Sequence, residues 1–143
     1  MKAVVQRVLG ARLEADGIEV ARIGRGLVVF FGVGKGDDPA EADWFAKKIV
    51  NMRIFEDCAG KMNLSSLQLG YEILSVSQFT LCGDCSHGNR PDFTGAEAPD
   101  IAFAIYNRFC EALAAQGIRV QRGVFGAHMK IEQTNDGPVT IIL

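Results

Sequence analysis

An unbroken run of apolar residues and glycine, LVVFFGV at 27–33, constrains this chain more than any other feature. No polar side chain interrupts it, so neither face of the segment is suited to water. A strand buried on both faces satisfies that pattern. Gly24 and Gly26 mark a turn ahead of it. Directly after it, GKGDDPAEADWF changes the period. Asp38 is placed to cap a helix, Pro39 suits a first helical position, and Glu41 completes a box-like start. Ala42, Phe45, Ala46, Ile49 and Val50 then share one helical face through about residue 51.

The other segments extend this pattern. KAVVQRVL at 2–9 and IEVARI at 18–23 are strand candidates, and MRIFE at 52–56 is a shorter one before a loop-like DCAGKMNLS. YEILSVSQFTL at 71–81 reads as one strand leading into a glycine- and charge-rich loop, CGDCSHGNRPDFTG. Pro99 and Asp100 open a second helix with Ile101, Ile105, Phe109 and Leu113 on one side, and Gly117 ends it. IRVQRGVF, HMKIEQT and VTIIL read as three terminal strands. The expectation is a single α+β domain over residues 1–143, with a curved, barrel-like sheet and two main helices. The regular strand–helix alternation of a doubly wound sheet is missing.

Composition narrows the function classes. A chain of 143 residues buries a core without metal or disulfide staples. Gln6, Arg7 and Arg12 break the apolar stretches at the N-terminus, so no secretory signal is expected. Cys58, Cys82, Cys85 and Cys110 are then read as thiols in a reducing compartment, and the expected location is the cytoplasm. No apolar run approaches the roughly 20 residues that cross a bilayer. The net charge of −2 argues against broad phosphate neutralisation, so DNA is not expected as a partner. A local grip on one end of an RNA stays open.

Two segments are candidates for chemistry, each beside a plainer reading. Ser77-Gln78-Phe79-Thr80 closes the strongest strand candidate. Strand alternation would put Ser77 and Phe79 on one face and Gln78 and Thr80 on the other. The segment reads either as a half-buried strand with a wet polar side or as polar groups held rigidly at a strand end. Asn135-Asp136-Gly137-Pro138-Val139-Thr140 reads either as a hairpin turn around Asp-Gly or as a site. Gly-Pro is among the few dipeptides in which a cis bond is accessible, and a cis bond would aim carbonyl acceptors at a substrate ammonium.

Other constellations fall short of known chemistry. Cys82, Cys85 and His87 have the ligand types of half a zinc site, but Cys58, Cys110 and His128 are isolated and supply no fourth ligand. No metal and no cofactor are expected. His87 and His128 are the only histidines and there is no GxSxG elbow, so no triad is readable. Gly32-Val33-Gly34-Lys35-Gly36 matches neither phosphate-binding glycine motif and reads as a turn into the first helix. Trp44 reads as packing.

SQFTL at 77–81 and NDGPVT at 135–140 together resemble the paired signature motifs of the D-aminoacyl-tRNA deacylase (D-tyrosyl-tRNA deacylase) family. MKAVVQRV, IGRGLVVFFGVGKGD, KIVNMRIFED, GKMNLS, GNRPDF and FGAHM are similar to further family segments in the same order. The resemblance implies a β-rich homodimer that hydrolyses the ester of D-aminoacyl-tRNA, and glycyl-tRNA as well, while excluding L-aminoacyl groups. It implies that Gly137 and Pro138, joined by a cis bond, enter the partner's site and present carbonyls to the substrate amino group. Arg7 would brace that loop. Ser77 and Gln78 would hold the terminal adenosine and the ester, the Phe79 backbone would contact the oxyanion, and Thr80 would be the site threonine whose hydroxyl is a candidate nucleophile. Met129 would border the adenosine pocket. The loop LCGDCSHGNRPDF departs from the family in charge, and His128 stands where an acidic or apolar residue is common.

The implied chemistry needs little apparatus. An aminoacyl ester is already activated, so orientation of water and stabilisation of an oxyanion suffice. The ribose hydroxyl beside the ester would help activate that water, as the family suggests. Two other classes remain beside this reading: a nucleic-acid-binding module without catalysis, and a small-molecule amidase or esterase of related fold.

Overall fold

The computed structural model describes residues 1–143. β1 (Lys2–Ala15) and β2 (Ile18–Ile23) form a hairpin through Asp16-Gly17, and β3 (Gly26–Gly32) returns antiparallel to the first half of β1. The strand order is β2-β1-β3-β6-β7, with β6 (Glu72–Ser77) and β7 (Val120–Arg122) joined parallel. The opposite edge of β1 pairs along its length with β8 (Met129–Ile142). A strand of 14 residues paired on both edges bends the sheet into a nearly closed barrel.

The apolar run on β3 is buried on both faces, as its pattern requires. Leu27, Val29 and Phe31 face a core made with α1 (Glu41–Asn51) and α3 (Pro99–Ala115). Phe31 stacks on Phe109 of α3 at 4.1 Å and meets Phe45 of α1 edge-on at 5.6 Å. Val28 faces the barrel interior with Val8, Leu13, Leu74 and Val76. A polar seam also docks α3 on β6. The Tyr106 hydroxyl donates to the Ser75 carbonyl at 2.9 Å, and the Cys110 thiol donates to the Ser75 hydroxyl. Burial, followed by the neighbouring Cys110, pushes the Tyr106 phenol well above its ordinary range.

Several sequence expectations change. α1 begins at Glu41 with Ala40 as its cap residue, and Asp38 instead accepts the Ala40 N–H and orders the preceding turn. The loop-like DCAGKMNLS contains β5 (Met62–Leu64), which pairs with β4 (Phe55–Glu56) around a turn held by the Asp57 carboxylate. A third, short helix, α2 (Ser66–Leu69), follows with a complete Ser65–Gln68 capping box. Ile101 on α3 is half exposed rather than in line with buried Ile105, Phe109 and Leu113. The two expected terminal strands HMKIEQT and VTIIL are one strand, because both halves of β8 pair with β1. No helix is long and apolar enough to cross a membrane.

Candidate active site

The strand expected over 71–81 ends at Ser77, and Phe79–Cys82 wind into a 3-10 turn. Residues 77–80 therefore do not alternate across a sheet; they form a corner. Ser77 pairs with Phe31 at the last register position of β6, and the Gln78 N–H donates to the Phe31 carbonyl at 2.8 Å. Gly32 makes the corner possible, because a Cβ there would lie 2.7 Å from the Gln78 carbonyl oxygen and 3.1 Å from Leu81 Cβ. The Lys2 ammonium donates to the Leu81 carbonyl at 3.1 Å and ties the far end of the turn to β1.

Beyond the corner lies a cavity of about 290 Å³. Ser77, Gln78 and Phe79 line one side, with Val33 and Val76 below. The segment from Phe125 to Met129 lines the other, together with Ala102 of α3 and Ile131 of β8. His128 is the one ionisable side chain on this lining. Phe79 is 56% exposed at the rim and packs edge-on against Phe93 at 5.2 Å. Phe125 in turn packs against Phe103 of α3 at 5.0 Å.

The corner offers two kinds of polar group. The first bond of the 3-10 turn runs from the Leu81 N–H to the Gln78 carbonyl, so the turn itself supplies no acceptor to the N–H groups of Phe79 and Thr80. The Gln78 side-chain amide donates to the Thr80 hydroxyl, which is exposed and has no basic side chain bonded to it. Met129, the first residue of β8, stands on the cavity wall.

Gly137 and Pro138 are not on that wall. They sit in the irregular stretch of β8 where the register against β1 shifts between Gln6 and Val8, so the segment is a bulged strand and not a hairpin turn. The Gly137–Pro138 bond is cis, and Gly137 takes a φ of 122°. Both residues are exposed. Beneath them Arg7 is 5% exposed, with its Nη1 donating to the Ile54 carbonyl at 2.6 Å and its Nε to the Asp136 carbonyl at 3.1 Å. Arg7 Nη2 would stand 3.2 Å from a Cβ at position 137, so glycine lets the guanidinium lie directly against the loop. A small cavity of about 110 Å³ beside it is lined by Arg7, Asp136, Arg25 and Tyr71 and is separate from the Ser77 cavity.

The cysteine loop is not gathered into a metal cage. Cys82 donates to the Val33 carbonyl, Cys85 and His87 are exposed, and no group of three or more His, Cys, Asp or Glu side chains converges in the structure. Sequence reasoning missed the opposite cavity wall. Phe125, Gly126 and Ala127 were visible only as part of FGAHM, and nothing in their local pattern placed them opposite Ser77.

A profile of the D-Tyr-tRNA(Tyr) deacylase family matches residues 4–143. The chain belongs to this family. A D-aminoacyl-tRNA deacylase of Geotalea uraniireducens (strain Rf4) is 54% identical over 143 residues, covering 100% of this chain and 92% of that one. A solved structure described as a c-Myc DNA unwinding element binding protein superposes with a TM-score of 0.92 at 44% identity, over 100% of this chain and 97% of that one. A probable eukaryotic D-amino acid tRNA deacylase shares the fold, with a TM-score of 0.87 at 20% identity over 99% of this chain and 97% of that one.

Proposed function

We propose that this family member hydrolyses the ester between a D-amino acid and the 3′ end of tRNA, as a homodimer whose sites combine two subunits. Whole-chain similarity to named deacylases supports the activity. One observation carries the composite site: the Ser77 cavity lacks Gly137 and Pro138, while both stand exposed on a braced edge of the same chain. A second copy can therefore supply what the first cannot reach.

In this reading the terminal adenosine occupies the apolar end of the cavity near Phe125 and Met129, and the ester lies at the corner. Water adds to the ester carbonyl, and the developing oxyanion accepts from the Phe79 and Thr80 N–H groups. The C–O bond to the ribose then breaks, the ribose oxygen takes a proton, and free amino acid leaves. The vicinal ribose hydroxyl relays the proton. Ser77 and Gln78 position the ribose and ester, and the Thr80 hydroxyl holds Gln78 in place. The partner subunit's Gly137 and Pro138 carbonyls accept from the substrate ammonium and leave no room for an L side chain. Glycine, with no side chain, passes the same filter.

The substrate places this work in the cytoplasm. Duplex DNA is not part of the reading, because a net charge of −2 provides no broad phosphate-neutralising face. Purified protein is assayed with matched D-, L- and glycyl-tRNA and with free D-amino-acid esters, and its mass is taken by light scattering. Release from D- and glycyl-tRNA alone, by a dimer, is expected. Equal release from L-aminoacyl-tRNA overturns chiral exclusion, and an active monomer overturns the composite site.

A further inference from the structure

The wall of the Ser77 cavity carries no arginine or lysine. A tRNA end brings phosphodiesters to its mouth, and those charges need cations supplied from elsewhere. The structure builds one candidate onto the catalytic corner. The chain leaves the 3-10 turn at Cys82, passes Gly83 and projects as an arm over residues 85–91, every one of them exposed.

The base of the arm is clamped. Asp84 and Asp92 exchange both backbone hydrogen bonds at 2.8 Å. Both carboxylates are held locally: that of Asp84 accepts the Ser86 N–H at the start of the arm, and that of Asp92 accepts both the N–H and hydroxyl of Thr94. The Ser86 N–H and hydroxyl hold the Asp84 carboxyl below its ordinary range. Phe93, next in the chain, packs against Phe79 at the reacting corner. The arm therefore has a fixed root on the very residue that offers an oxyanion donor, which distinguishes it from a free surface loop.

The arm carries Arg90, two residues before the Asp92 clamp, together with Asn89 and His87. Arg7, Arg12, Arg22, Arg108 and Arg119 each pair with a carboxylate; Arg25, Arg53, Arg90 and Arg122 do not, and of these four Arg90 alone lies on the arm. The one guanidinium rooted on the corner therefore stands without a carboxylate to neutralise it.

We propose that Arg90 is a substrate-positioning residue that binds a phosphodiester in the single-stranded 3′ end of aminoacyl-tRNA. The proposal rests on the deacylase reading of the cavity. Its guanidinium donates to phosphate oxygens in the fork geometry suited to them, and the Asp84–Asp92 clamp sets where along the strand that contact falls. Specificity for RNA ends over free esters then comes partly from the arm and not only from the cavity.

The test compares Arg90→Ala and Arg90→Lys with wild type and with Lys61→Ala, a change on the separate β4–β5 hairpin. Steady-state kinetics on D-aminoacyl-tRNA and on D-aminoacyl-adenosine, which lacks the phosphodiester, is paired with binding of a fluorescent single-stranded RNA ending in CCA. For Arg90→Ala we expect KM on the tRNA to rise about fivefold or more, with kcat changing much less. The ratio of kcat/KM on tRNA to that on D-aminoacyl-adenosine falls by a similar factor. The RNA-binding salt slope drops by about 0.7, the loss of one phosphate contact on a single strand. Arg90→Lys keeps most of the salt slope but recovers affinity only in part. Equal loss on both substrates, or an unchanged KM and salt slope, overturns the proposal. RNA binding that depends on Arg90 without any hydrolysis sinks the deacylase reading and leaves the phosphate contact standing.

Discussion

The Ser77–Cys82 corner and the Asn135–Thr140 segment are held in opposite ways. The corner grows out of the middle of the sheet. Its strand is buried over Ile73–Val76, its first turn is bonded to β3, and its packing is closed by Gly32. The second segment lies on an exposed stretch of strand, interrupts its own ladder, and is propped from beneath by one guanidinium. Gln6 and Gln133 frame it with side-chain bonds to Thr140 and Asn135. The corner's geometry follows from the core; the other's follows from Arg7. A residue that shapes the first should therefore move stability and activity together, while one that shapes the second can separate them.

Arg7→Ala should have the largest effect. It leaves the Ile54 and Asp136 carbonyls without their charged donor, at a cost of about 2–4 kcal/mol. Deacylation should fall about a hundredfold or more, since a displacement near 1 Å is enough for that. Denaturant unfolding beside single-turnover deacylation measures both. A variant as stable and active as wild type would remove Arg7 as the brace.

The glycines give the sharper contrast. Gly137→Ala places a methyl against Val139 and Arg7 at a φ that alanine rarely adopts. Activity should fall at least about tenfold, with the barrel's unfolding midpoint nearly kept, because the strain is confined to an exposed bulge. Gly32→Ala drives a methyl into the Gln78 carbonyl and should lose about 1–3 kcal/mol together with activity. Parallel losses of stability and activity in both variants would erase the distinction between the regions.

Tyr106→Phe tests how far the corner depends on the α3 dock. Loss of the bond to the Ser75 carbonyl should cost about 1 kcal/mol. The folded phenol is held neutral beyond the pH at which it ionises in the unfolded chain. Its contribution is thus complete below about pH 10 and declines as pH rises above it. Thermal melts from pH 8 to 11 should show a shallower alkaline decline in Tyr106→Phe than in wild type. An identical slope would mean that another group controls it.

Thr80→Ala should be the mildest change. The hydroxyl accepts from Gln78 and has no bonded base, so it is a poor nucleophile. The variant should retain activity within about tenfold, the range of one lost positioning bond. A trapped acyl-enzyme on Thr80 would instead make it a covalent participant.

The two regions also differ in how far they can be read from the chain. β3 was legible because an apolar run without polar breaks has few alternatives to a doubly buried strand. α1 and α3 were legible from their repeating buried faces. α2 was not legible, because a helix of four residues is too short to show helical periodicity even behind its Ser65–Gln68 capping box. The end of β6 was not legible, because SQFTL continues a plausible strand pattern. What stops the strand is contact with Gly32 and Phe31, which are distant in sequence.

The sequence by itself determined the family, the elements of the core and the identity of the residues in both motifs, since these depend on composition, period and order along the chain. Only the tertiary structure decided that 129–142 is one strand, that residues 77–82 form a corner, and that Phe125–Met129 lines the same cavity as Ser77. It also separated the exposed Gly137 and Pro138 from the cavity in their own chain. The physical reason is shared. Each of these features is set by a contact between segments, through β1 pairing, Gly32 clearance or Arg7 donation, and such contacts leave little trace in the local pattern of either segment.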